Sequence, residues 1–416
     1  MPQQSPGLRA RLRSPVALGA AVTAATVLVI VLVIWALPAL LTRRPVVTGS
    51  DRHAAIASAR TALITMLAAF GALGGLAYTA RTYRLSRLGN LTGRFQTAST
   101  QMGVEDTTVR LGGIQAMAQL ADEWPQQRQR CIDLLCAYVR NAVDADDDEK
   151  KAGKHRDTRR RAIELIQQRL TPSPRAPSWI GCNFDFRDAV IDVGDFSGVC
   201  LSAGRYYFDN ATFKGDAVTF ADATFGGAAV TFNGAIFEAG ASVTFEGARF
   251  VGGRVSFYKA AFDGQVSFSA AWFGASAVTF TEAYLGGGTV SFDKATFAGG
   301  KGPRLSFERA LFLGGGGVTF ARAVFLTGVS FDHAEFGVDV SFEEADLSRG
   351  WLSFRQATFA ERSLTFDGAR CSGATLYVDR ATDVGDSDLG IDLRGAVDRP
   401  DVVALTDDPS PGRHDA

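Results

Sequence analysis

Residues 243–262 read VTFEGARFVGGRVSFYKAAF, and the spacing inside this stretch decides the fold. Phe245 and Phe250 lie five apart, as do Phe257 and Phe262. The same interval separates Phe220 from Phe225, Phe232 from Phe237, Phe268 from Phe273, Phe292 from Phe297 and Phe307 from Phe312. It returns at Phe320/Phe325, Phe331/Phe336 and Phe354/Phe359, while Leu285, Leu347 and Cys371 replace the second Phe of their pairs. Pairs recur about every 12 residues, with Gly-rich inserts such as Gly252-Gly253 between them. Two before the second Phe stands Ala (Ala223, Ala235, Ala248, Ala260, Ala271, Ala323); two before the first stands Val or Leu (Val218, Val230, Val243, Val255, Val266, Leu305). The residue between is often Thr or Ser. An α-helix cannot put residues five apart on one face, whereas in an extended segment i and i−2 share a side.

Working outward, Phe and Gly dominate the composition: 30 Phe and 45 Gly against 13 Pro and 4 His in 416 residues. A net charge of −1 excludes a globally polyanion-seeking protein. Cys131, Cys136, Cys182, Cys200 and Cys371 form an odd set without paired spacing, which fits a reducing compartment. Val16 to Leu41 carries no charge and exceeds the roughly 20 residues a membrane crossing needs. Thr61 to Ala80 reads as a second span, with Gly71-x-x-x-Gly75 allowing close approach to the first. Arg9, Arg11 and Arg13 before the spans, and Arg81, Arg84, Arg87 and Arg94 after them, outnumber the basic residues of the loop between. Both termini are therefore expected in the cytoplasm. Residues 1–15 are expected to form a cytoplasmic arm, and Arg81 to Arg94 to continue the second helix, either along anionic lipid headgroups or as an ordinary positive flank.

Residues 81–170 read as a juxtamembrane and helical region. Val109, Leu111, Ile114, Met117, Leu120 and Ala121 give one apolar helical face that closes near Trp124-Pro125. Cys131, Leu134, Leu135, Tyr138 and Val139 give another, with both Cys as core fillers. Asp144 to Arg161 reads as a solvated charged loop entering a helix carried by Ala162 to Leu170, and Thr171 to Pro177 as a linker. Past Leu376 the Phe rule fails, yet apolar residues persist; 377–405 is expected to cap the array and 406–416 to be a disordered tail. The alternative use of that apolar end is a homodimer.

The runs Phe-x-x-Ala-x-Phe resemble pentapeptide-repeat proteins of the Phe-rich variety, over roughly half the chain (179–376). The resemblance implies a mainly β fold, a right-handed, four-sided β-helix in which each five-residue unit makes one face. The Phe and the residue two before it point inward. Two pairs then make a coil of about 24 residues, and about eight coils stack about 4.8 Å apart. The two apolar segments and Val109-Arg-Leu-Gly-Gly-Ile-Gln-Ala-Met117 resemble the amino-terminal part of membrane-bound members. Some members of the family resemble a DNA duplex and occupy the DNA site of type II topoisomerases. Here Arg304, Arg309, Arg322, Arg355 and Arg362 interrupt any acidic stripe, which speaks against a nucleic-acid role.

No residue set reads as catalytic, cofactor-binding or metal-ligating. Gly299 to Gly302 and Gly314 to Gly317 look like phosphate loops, but no Lys-Ser/Thr follows them. His53, His155, His333 and His414 are scattered, and Asp263, Asp293, Asp332 and Asp367 are expected to face solvent as repeat surface. The chain is thus expected to be a membrane-anchored, non-catalytic scaffold with lipid and an unidentified protein as partners. Protection or inhibition of a type II topoisomerase by DNA mimicry is the alternative.

Overall fold

The structure is a computed structural model. It describes residues 49–141, 149–174, 177–215, 218–226, 229–274, 277–298, 305–360, 364–378, 382–383, 391–393, 395–398 and 400–403. The chain divides into two compact units, Met1–Asn90 and Leu91–Ala416.

Helix α1 (Gly49–Met102) runs unbroken through the basic segment Arg81 to Arg94. From Ala57 onward it is long and apolar enough to cross a membrane, and Ile64, Phe70, Leu73 and Leu76 are exposed along it. It is the one such helix among the described residues. The other expected span, Val16 to Leu41, the arm 1–15 and the tail 406–416 lie outside them.

In the second unit, α2 (Thr107–Glu123) is capped by Asp106, whose carboxylate accepts from the backbone N–H groups of Thr108 and Val109. Ile114, Met117, Leu120 and Ala121 are buried as expected, but Val109 is 39% exposed: it sits in the first turn, before the apolar face begins. A short 3-10 turn (Pro125–Gln127) leads into α3 (Arg128–Arg140), which buries Cys131, Leu135, Cys136 and Val139. Helix α4 (Glu149–Leu170) corrects the sequence reading. The charged run is helical from Glu149, since Glu, Lys, Ala and Arg are good helix formers and packing draws Thr158 and Arg159 into the interior.

Beyond Trp179 the chain winds as a parallel β-solenoid whose four sheets hold ten, nine, nine and six strands among the described residues. Face one begins at Phe184–Asp185, face two at Val190–Ile191, face three at Gly194–Asp195 and face four at Cys200–Leu201. Each strand pairs with the equivalent strand one coil away, so that Tyr206, Val230, Val255, Val278, Leu305 and Val329 form one column. Successive passes of face four, from Cys200 through Trp272 and Val324 to the single bridges at Asp346 and Arg370, close about seven turns. Within 377–405, the strands Thr382–Asp383, Ile391–Asp392 and Asp401–Val403 join faces two, three and one.

The sequence rules map onto the faces. Val or Leu plus the first Phe point inward on faces one and three; Ala plus the second Phe point inward on faces two and four. Rings stack along the axis: Phe208, Phe232, Phe257 and Phe280 have centroids 4.8, 4.8 and 4.7 Å apart. Columns one and three meet edge to face, as with Phe245 and Phe257 at 5.9 Å and 88°. Both geometries suit the ring quadrupole. Ala fits on the lean faces because the interior between facing ring columns leaves no more room.

A tight turn follows each first Phe. Ala260 N donates to Phe257 O at 3.1 Å and Ala271 N to Phe268 O at 3.1 Å, and the residue before each Ala is left-handed. Among the described residues twelve non-glycine residues adopt this conformation at φ 53–61°, including Asp188, Lys259, Ala270 and His333. The rung-to-rung ladder holds them there: Ala270 N donates to Asp293 O at 2.8 Å. A left-handed L-residue costs about 1–2 kcal/mol, while glycine loses only about 0.5–1 kcal/mol relative to alanine through its flexibility. Ala270→Gly is therefore expected to stabilise by about 0.5 kcal/mol, the reverse of the usual sign. Chemical denaturation of wild type and variant checks this; a loss of 1 kcal/mol or more would contradict the turn assignment.

The helices and the solenoid share one continuous apolar core. Trp179, fully buried, donates its indole N–H to Asp122 at 2.8 Å and lies under Arg169. Arg169 in turn grips Asp122 through Nε and Nη2. Arg140 pairs with Asp185 at 2.7 Å, and Arg159 with Asp192 at 3.0 Å. The first coil is thereby covered by α3 and α4, so its open backbone edge is not exposed for strand addition. A hydrogen bond from Arg187, reinforced by that residue's backbone N–H and by Arg140 against the cost of burial, holds the Asp185 carboxyl down at about 2.

Candidate functional site: the outer faces of the solenoid

With the interior filled by rings, chemistry available to a partner lies outside. On faces one and three the middle strand residue is mostly Thr or Ser, and in several rungs its hydroxyl accepts the turn N–H two residues on. Thr279 Oγ1 accepts from Thr281 N at 3.1 Å, and Ser291 Oγ from Asp293 N at 3.2 Å. Asp and Asn just after the first Phe reach across to the next rung. Asp209 accepts from Asn233 N at 3.0 Å, and Asn233 Oδ1 from Ser256 Oγ at 2.6 Å. Asp293 takes Thr319 Oγ1 at 2.7 Å and Ala321 N at 3.1 Å. Asp332 takes Ser353 Oγ and the Arg355 N–H. Asp293 and Asp332, expected as plain solvent surface, are half-buried and tie rungs together; Asp263 is half-buried as well, and Asp367 is exposed.

Faces two and four are different in kind. Ile236 and Leu311 on face two and Trp272 on face four are 36–40% exposed, as is Leu326, which follows the face-four strand Val324–Phe325. Arg249 stacks on Trp272 with its guanidinium carbon 5.5 Å from the ring centre. Charges at the turn corners are mixed. Lys259 meets Glu282 on the next rung at 3.4 Å, and Arg322 meets Glu344 at 2.7 Å. On face three Glu246, Asp293, Glu343 and Asp367 occupy one outward row, interrupted by Ser269 and Ala321.

The residues weighed for chemistry do not converge. His155 lies on α4 and His333 at an exposed solenoid corner; the side chain of His53, and His414, fall outside the described residues. Gly314 to Gly317 joins strand Leu311–Phe312 to Val318–Thr319, with no helix after it, and Gly299 to Gly302 falls outside the described residues. Among the described residues no group of three or more His, Cys, Asp or Glu could hold a metal ion. All five cysteines are free. Burial pushes the thiols of Cys131 and Cys371 up to about 11 and that of Cys136 to about 12, which keeps them out of thiolate chemistry near neutral pH.

Sequence reasoning missed the Asp122–Arg169–Trp179 join and the exposed apolar rows. The second had a signal: Ile236, Trp272 and Leu311 each stand where Thr is common, directly before the second Phe of a pair. No protein-family model matches this chain, and no curated protein matches it; the repeat spacing and the four-sheet solenoid carry the likeness to pentapeptide-repeat architecture.

Proposed function

We propose that the chain is a membrane-anchored, non-catalytic member of the pentapeptide-repeat type, with a right-handed, four-sided solenoid presented at the cytoplasmic side for protein binding. The observation that carries this reading is the pairing of a ring-filled interior with exposed apolar side chains on faces two and four. A filled interior favours binding over catalysis, which calls for a concave site. Exposed Trp and Arg, here Trp272 with Arg249 stacked on it, are among the residues enriched as anchors of protein interfaces. Mixed corners such as Arg322–Glu344 weigh against mimicry of a uniformly charged duplex.

Capture from detergent-solubilised membranes with the full chain as bait tests this. A partner should be retained by wild type and lost when Trp272 and Leu326, or Ile236 and Leu311, are replaced by Ser. Recovery of a type II topoisomerase, with inhibition of supercoiling by the purified chain, would favour the alternative. Two spans, with both termini inside, belong to the same proposal. A reporter active only outside the membrane should be silent after Ala416 and active near Thr48. Activity at the carboxy terminus would sink the cytoplasmic placement.

A further inference from the structure

The residues from Arg52 to Val104 include no Asp, Glu or Lys; their fixed charge comes from Arg52, Arg60, Arg81, Arg84, Arg87 and Arg94. Thr61 to Ala80 of α1, rising about 1.5 Å per residue, covers about 30 Å, the hydrocarbon thickness of a bilayer. Arg81 therefore stands where headgroups begin. Tyr78 and Tyr83, exposed on either side of it, are of the type that collects at such a boundary. Arg81, Arg84 and Arg87 lie at i, i+3 and i+6, on one side of the helix over about 9 Å of its axis. All three are exposed, and among the described residues no carboxylate pairs with them. One turn later the helix changes use. Leu91 and Ala98 are buried, and Arg94 donates through Nη2 to Glu123 of α2 at 3.1 Å. Arg94 thus belongs to the helical region, and the three arginines before it are left to something outside the protein.

We propose that Arg81, Arg84 and Arg87 bind the phosphates of anionic lipid headgroups and fix the depth at which α1 leaves the bilayer. This rests on the membrane anchoring proposed above. A guanidinium presents a planar fork that matches phosphate oxygens in pairs. Because α1 is unbroken, this segment meets the headgroups as a continuation of the span and not as a separate surface helix. Leu85 and Leu88, exposed between the arginines, carry apolar surface into the same layer.

The full chain reconstituted into phosphatidylcholine vesicles tests this, with spin-labelled phosphatidylglycerol or spin-labelled phosphatidylcholine as the probe. Electron spin resonance reads the fraction of probe immobilised by the protein. Wild type should favour the anionic probe about fivefold, equivalent to about 1 kcal/mol for a lipid held by one arginine. Arg81→Gln, Arg84→Gln and Arg87→Gln together should remove most of that preference. Arg94→Gln, whose cation Glu123 already neutralises, should leave it unchanged. Equal affinity for the two probes in wild type overturns the proposal. So does a triple variant that keeps most of the preference, or an Arg94→Gln variant that loses as much as the triple one. Should the triple variant fail to insert, wild type alone decides: the preference should shrink between about 50 mM and about 500 mM salt, and one that does not overturns the proposal. Release of the chain from membranes by alkaline carbonate would instead refute the anchoring itself.

Discussion

Replacing Phe320 with alanine is expected to destabilise the solenoid by about 3–5 kcal/mol. The ring is fully buried, stacked on Phe292 at 4.9 Å and Phe342 at 5.0 Å. It also meets Phe307 and Phe331 edge-on at 6.0 and 6.1 Å. Its removal leaves a gap bounded by rings on four sides. The gap cannot close, because backbone ladders fix the coils above and below: Phe320 N donates to Ser341 O at 2.7 Å, and Phe292 N to Thr319 O at 2.7 Å. Phe257, in the equivalent place on face one, should behave alike. Ala323→Leu, in the same coil, is expected to cost about 1–3 kcal/mol by overpacking. Urea denaturation followed by circular dichroism measures both; a Phe320→Ala cost below 1 kcal/mol would mean that the column does not carry the fold.

Asp122→Ala is expected to cost about 3–5 kcal/mol, because it leaves a buried cation without its partner. The side chains of Arg169 and Asp122 are only 12% and 15% exposed, and the same carboxylate holds the Trp179 indole. The test that separates charge from packing is the double variant Asp122→Leu with Arg169→Met. Removing both charges together should recover most of the loss, since an apolar pair of similar volume replaces the ion pair at little cost. If the double variant is as unstable as the single one, the join depends on the hydrogen bond to Trp179 and not on the ion pair.

How much of this was legible follows from what repeats. The inward rules for Phe, Ala and Val could be read because every coil imposes the same steric demand on the same step of sequence. The left-handed corner could not be read. Asp188, Lys259, Ala270 and His333 share no side-chain property, and tertiary ladders impose the conformation on all of them. Thr and Ser before Phe were visible as a preference, but not the turn N–H two residues on that several of them accept. The join was hidden because Asp122, Arg169 and Trp179 are far apart in sequence, and each alone reads as ordinary surface charge or linker. The start of α4 at Glu149 was missed because charge was read as solvation, although the same residues favour helix. Outward rows such as Ile236, Ala261, Tyr284 and Leu311 change residue type from rung to rung, so their one mark in the sequence is an apolar residue where Thr is common.

The four ladders, covered by helices at one end, also make unfolding directional. Each coil is held only by the coils next to it, so loss of order spreads as a front and does not strike the solenoid at once. At Phe184 the front would have to break the pairs Arg140–Asp185 and Arg159–Asp192 together with the buried Trp179 before a rung could leave. Toward residue 403 the rungs lose their ring columns, with Cys371 in place of Phe and Asp383 paired with Phe359. The solenoid therefore frays from its carboxy-terminal end and melts toward α4, and a protease acting during partial unfolding would shorten it coil by coil from that side.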